Sequence, residues 1–203
     1  MFYETGQHKA AGLTYDPVKA IVAPRPIGWI SAVSATGEVN LSPYSFFNLF
    51  GVRPTIVGFS SDGLKDAVSF ITETGAFVCN IATQDLLAQM SATSAPLPRG
   101  ENEFLHAGLT MVPSQMVAVP RVKESPAALE CRLLQILSPD DLDGKPSGYH
   151  IVLGQVVGVH IDERFIRDGR LDTAAMQPLA RCGYDDYAVV DRVIALERPP
   201  GAY

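Results

Sequence analysis

The sequence predicts a mainly β fold, an antiparallel barrel with a few peripheral helices, on three observations. Strand-like runs recur along most of the 203 residues. Only two segments carry helical periodicity, and strands do not alternate with helices as a doubly wound sheet requires. Neither a glycine-rich dinucleotide turn nor a P-loop occurs, so a phosphate-bearing ligand needs another architecture.

The elements follow in order. Residues 19–23 read as a strand entering a proline-rich turn. Residues 29–34 are strand-like and meet Thr36-Gly37, a hairpin turn into 39–41. Residues 55–59, after Pro54, and 76–82 read as buried strands. Residues 129–137 alternate until Leu134-Gln135-Ile136, where the lost alternation predicts a bulge or burial on both faces. Residues 149–161 form a long strand with Gly154 and Gly158 as bend points, and 187–195 close the series. Leu64, Ala67, Val68 and Ile71 share one helical face, stopped by Gly75. A second helix starts near Gln84, with Leu86, Leu87 and Met90 on one side.

Length suits one domain over 1–203, with 92–127 as an irregular, proline-rich excursion. A composition 47% hydrophobic and 19% charged is that of a globular chain. A net charge of −6 without clustered Lys and Arg argues against nucleic acid as a partner. No apolar run is long enough to span a membrane, and the polar start is not a signal peptide. Cys79, Cys131 and Cys182 are widely spaced and odd in number, which points to a reducing cytoplasm. His8, His106, His150 and His160 share no ligand spacing, so no metal site is expected.

Chemistry concentrates early. Arg25-Pro-Ile-Gly-Trp-Ile-Ser31 and Asn40-Leu-Ser-Pro-Tyr-Ser-Phe-Phe-Asn48 place a Trp and several hydroxyls on stiff turns, where proline fixes φ and Gly28 frees it. Such a frame suits a planar, phosphate-bearing ligand. Ser60-Ser61-Asp-Gly-Leu-Lys65-Asp66 follows a strand and opens the first helix. Helix amides, hydroxyls and Lys65 make an anion site; alternatively Ser61 or Asp62 caps the helix and Lys65 is solvated. Trp29 reads either as a wall for a flat ring or as core. Of Phe46 and Phe47, one packs inward while nearby amides face the ligand. His150, at a strand start, is a candidate donor to substrate or cofactor, or a surface residue.

With Lys65-Asp66, Phe77-Val-Cys-Asn80, Glu124-Ser-Pro-Ala-Ala-Leu-Glu-Cys-Arg132, His150-Ile-Val-Leu-Gly-Gln-Val156 and Pro178-Leu-Ala-Arg181, these segments resemble the flavin reductase-like family of FMN-binding split barrels. The resemblance runs from about Asp16 to Val190. It implies an antiparallel, Greek-key split barrel that forms a homodimer and holds FMN non-covalently near the subunit interface. It assigns the phosphate to Ser60, Ser61, Lys65 and Asp66, and the ring to Trp29, Ile30, Ser31, Ser45, Phe46, Phe47 and Asn48. The implied activity is an FMN-dependent oxidoreductase with NADH or NADPH as co-substrate, passing electrons to an acceptor or a partner monooxygenase; His150 is its candidate catalytic residue. Other members are electron carriers without a pyridine nucleotide site. One departure is Arg181-Cys-Gly-Tyr184, where many relatives have Arg-Leu-Gly-Gly, a difference that bears on flavin affinity or acceptor choice.

Overall fold

Antiparallel pairing carries the architecture of the computed structural model, which describes residues 1–197 and 199. A short helix, α1 (Val18–Ile21), and a two-residue strand, β1 (Arg25–Pro26), come first. Then follow β2 (Gly28–Val33), β3 (Val39–Tyr44), β4 (Phe47–Val52), β5 (Thr55–Asp62), α2 (Asp66–Thr74), β6 (Ala76–Ile81) and α3 (Leu87–Ala92). The excursion after α3 holds α4 (Glu103–His106) and a ribbon of β7 (Met111–Val112) and β8 (Arg121–Val122). The long strands β9 (Ala127–Leu137) and β10 (Tyr149–Ile161) complete a seven-stranded sheet in the order β3-β2-β6-β9-β10-β5-β4. After the small hairpin β11 (Ile166–Arg167) and β12 (Arg170–Leu171) and helix α5 (Thr173–Met176), β13 (Leu179–Gly183) and β14 (Asp186–Val189) join β1 in a second sheet. No helix among the described residues is long and apolar enough to cross a membrane.

Strand β2 is buried on both faces, and its alternation feeds two cores. Ile30 and Ala32 join Tyr44, Phe59 and Phe77, with α2 covering them through Val68 and Ile71. Trp29 enters the other cluster with Leu41, Met90, Phe104 and Val122, which the excursion covers. The predicted irregularity at Leu134 is a bulge: Leu133 pairs with Gly154 and Gln135 with Leu153, leaving Leu134 unopposed. Gly154 is required there because a Cβ would lie 2.4 Å from the Phe77 ring. Gly75 ends α2 in the left-handed conformation at φ 70°, as expected of a C-terminal glycine.

Four local expectations change. Residues 18–21 are helical, not strand. The Asp16 carboxylate accepts from Val18 N at 3.0 Å, and Val18 and Ile21 stay exposed, so a local turn bond prevails over β propensity. Strand β14 stops at Val189 because its partner β13 ends there, with Leu179 opposite Val189. Strand β4, hidden in a segment that reads as turn chemistry, pairs along the edge of β5. Helix α2 starts at Asp66 with Lys65 at its N-cap and no side-chain cap, so neither Ser61 nor Asp62 caps it and Leu64 lies outside it, exposed.

The excursion has few ladders of its own, so buried side chains satisfy its backbone. Asn80 accepts from Val122 N at 2.8 Å and Ser31 donates to Pro120 O at 2.6 Å. In the opposite direction, the excursion's own Glu103 accepts from Asn40 Nδ2 at 2.7 Å and Leu41 N at 3.0 Å, both of β3. Fully buried Glu130 accepts from the amides of Gln115, Met116 and Val117 and from His160. Burial alone would raise its carboxyl, but the amides of Gln115 and Met116 and the His160 imidazole outweigh burial and hold it below the usual carboxylate range.

Glu130→Ala should therefore cost about 3–5 kcal/mol in urea unfolding at pH 7, since it leaves a buried polar cluster unpaired. The ionised carboxyl contributes fully above the unfolded glutamate value, about 4.3. That contribution is lost as pH falls through the lower folded-state pKa. Urea melts across this acid range should show a shallower pH slope for Glu130→Gln than for wild type.

Candidate functional site

The site forms where β5 and β10 run antiparallel, with Ser60 opposite Ile151, Ser61 opposite His150 and Asp62 opposite Tyr149. Side chains alternate along strands, so Ser60, Asp62, Tyr149 and Ile151 share one face. Beyond Asp62 the chain turns through Gly63 into Lys65 and α2. Ser60, Asp62, Lys65 and Asp66 line a cavity of about 660 Å³. Its inner end is polar, with Asn40, Ser42, Tyr44 and Glu103; its outer side carries Lys19, Arg181 and Tyr184.

A second cavity of about 690 Å³ adjoins it and is walled by aromatic and proline side chains, including Phe46, Phe47, Phe50, Pro24 and Pro26. The two share Arg25, Ser45, Phe46 and Ser60. Gly28 lets the Phe47 ring approach: a Cβ there would fall 2.6 Å from it.

Arg25 holds this junction. Only 8% exposed, it lies on the Phe46 ring at 5.8 Å and its Nη1 donates to the carbonyls of Lys19, Val22 and Cys182, the last at 3.2 Å. Among the described residues no carboxylate pairs with it, and its buried Nε lacks a partner. Tyr44 Oη is likewise buried, with the Ser61 hydroxyl beside it but outside hydrogen-bond geometry, and burial pushes its phenol up to about 12 against that neighbour. Burial also raises the Glu103 carboxyl against its bonds to Asn40 and Leu41. Lys19, Arg25, Lys65 and Arg181 outnumber Asp62, Asp66 and Glu103 around the first cavity, and the uncapped first turn of α2 opens beside them. The arrangement favours a ligand with an anionic arm and a flat apolar body.

Of the residues singled out in the sequence, Ser45, Phe46 and Ser60 line both cavities, Lys65 and Asp66 the first, and Phe47 and Asn48 the second. Trp29, Ile30, Ser31 and Ser61 are buried and line neither. Trp29 reaches the site at one remove: its Nε1 donates to Thr93 Oγ1 at 2.9 Å, and Thr93 begins the segment through Leu97 that lines the first cavity. Ser61 Oγ donates to Gly63 O at 2.9 Å, bracing the turn. His150 points away, as the alternation with Tyr149 and Ile151 demands, and its Nδ1 bonds Ser138 Oγ at 2.9 Å. Sequence reasoning placed Arg25 and Tyr44 in the ligand-suited segments without assigning either a role, and missed Glu103 and Tyr149 as lining residues. The flanking pair Tyr149 and Ile151 was the available signal for the last of these.

Comparison with known proteins bears on the family and the fold. Residues 22–174 match the model of the flavin reductase like domain. An uncharacterised protein of Halalkalibacterium halodurans is 33% identical over 183 residues, 88% of this chain and 87% of its own length. Nitrilotriacetate monooxygenase component B from Bacillus cereus superposes with a TM-score of 0.87 at 27% identity, covering 97% of this chain and 98% of that one. A Shewanella frigidimarina chain with a split barrel domain gives a TM-score of 0.83 at 24% identity, over 98% of this chain and all of that one, a likeness of fold. By its matching domain, its relatives and its antiparallel architecture, this chain belongs to the flavin reductase-like family and has the split-barrel fold.

Proposed function

We propose that this protein binds FMN non-covalently across the two adjoining cavities and, with NADH or NADPH, acts as a flavin-reducing oxidoreductase that passes electrons to an acceptor or a partner monooxygenase. The observation that carries this reading is the junction itself: a cationic, hydroxyl-rich cavity opens beside an aromatic one through Arg25, Ser45, Phe46 and Ser60. The donor set fits the group. Arg25 is a buried cation without a carboxylate among the described residues, its Nε is unpartnered, and the α2 amides lack a side-chain cap, each a cost that an anionic, hydrogen-bonding ligand offsets.

Ser60, Lys65 and the first turn of α2 would hold the phosphate, and Ser45, Phe46, Phe47 and Asn48 would border the ring. Bound FMN supplies the hydride chemistry, and the protein supplies position and electrostatics. That division of labour supports a site without a nucleophile triad. A homodimer is part of the proposal. Leu49, Phe50 and Val52 stand exposed along edge strand β4, beside the aromatic cavity, and a second copy covering them would remove an aggregation-prone edge.

Purified protein should be yellow and bleach under anaerobic conditions on addition of NADH or NADPH. A yellow protein that neither nucleotide bleaches would instead be a flavin-binding electron carrier. Lys65→Ala should weaken FMN binding about tenfold to a hundredfold, as loss of one charge-assisted hydrogen bond implies. An unchanged affinity in a fluorescence titration removes the phosphate assignment. Light scattering should give twice the chain mass of 21.9 kDa, with Phe50→Glu shifting the protein toward monomer.

A further inference from the structure

The turn joining β13 to β14 borders the cationic cavity, and its backbone is forced. Tyr184 sits there at φ 50°, in the left-handed region where a side chain is disfavoured. Three contacts hold the turn around it. Gly183 lies so close to α1 that a Cβ would fall 2.8 Å from the Ala20 backbone. Arg181 Nη2 donates to the Tyr184 carbonyl. Gly183 pairs with Asp186 across the turn. A glycine would satisfy this backbone without strain. The Tyr184 ring belongs to none of the three buried clusters. It is 49% exposed, lines the cavity, and rests on the Tyr15 ring at 5.7 Å and 60°. A large aromatic held in a strained conformation at a cavity wall, contributing no core, marks a ligand-directed role.

We propose that Tyr184 determines how long this site retains its ligand. Propped by Tyr15, its ring closes the outer wall over the phosphorylated arm of the flavin, so that Lys19 acts on the anion with less water between them. Resting on the FMN reading above, this makes Tyr184 a retention residue and takes no part in the redox step.

The test is FMN release, followed by flavin fluorescence after dilution, for wild type, Tyr184→Gly, Tyr184→Phe and Tyr15→Ala, together with melting of each FMN-free protein. Tyr184→Gly should release FMN about threefold to tenfold faster, the range an aromatic contact supplies, with a steeper salt dependence. Its FMN-free form should melt at the wild-type temperature or above, because the left-handed strain is gone. Tyr184→Phe should stay near wild type, and Tyr15→Ala should fall between. Wild-type release from Tyr184→Gly overturns the proposal. So does a lower melting temperature of its FMN-free form, which would assign the ring to the fold. Wild-type protein that takes up no FMN instead overturns the flavin reading, and this inference with it.

Discussion

The Arg25 guanidinium is the interaction on which the site depends. Its Nη1 gathers carbonyls from α1, from the residue after α1 and from β13, while its Cζ lies over the Phe46 ring. One side chain thereby fixes the N-terminal helix, the second sheet and the wall between the cavities. A buried cation answered only by carbonyl dipoles is costly. A carboxylate partner would lower that cost and would also neutralise the junction. With carbonyls as partners the charge is held in place yet leaves a positive potential at the point where the polar and aromatic cavities meet.

Strand parity decides the rest. Along β5 and β10 a single residue separates a lining side chain from one turned away, so Ser60 and Ser61 part company, as do Tyr149 and His150. Sequence reading located these strands well, because apolar runs, glycine bends and the helix stop at Gly75 are local signals. It did not resolve parity, since each segment offers a hydrogen-bonding residue at both parities and only the pairing partner shows which one faces the cavity. Residues 19–23, and 190–195 beyond the end of β14, failed for a related reason. Their β-branched residues argue for strands, but a strand needs an edge to pair with, and whether one is free is a property of the whole topology.

The excursion shows what local patterns omit altogether. Its prolines mark it as irregular, yet nothing in residues 92–127 shows that Asn80 and Glu130 satisfy its backbone from buried positions, or that its own Glu103 accepts from Leu41 N of β3. These polar groups lie in or against strands whose other residues read as plain core. Their burial is tolerable because each is hydrogen-bonded by several partners, a condition that exists only once the excursion is folded over the sheet. Fold and loop conformation are therefore mutually dependent, and the cavity wall from Thr93 to Leu97 inherits its position from that closure.

The Trp29 motif gains its meaning from the same dependence. A tryptophan among glycine, proline and serine suggests a ring surface for a ligand, because stiff turns with aromatic side chains are what flat ligands require. Here the indole is fully buried, and its one polar atom holds Thr93. Ser31 is likewise committed, to Pro120. The motif is rigid because its side chains are consumed by the fold. The surfaces left for a ligand belong to its neighbours: Arg25 before it, Ser45 to Asn48 after it, and the segment that Trp29 anchors. A mutation at Trp29 would thus reach the ligand through displacement of residues 93–97 rather than through a lost contact. Changes at Arg25 act differently, since they alter the charge at the junction as well as its geometry.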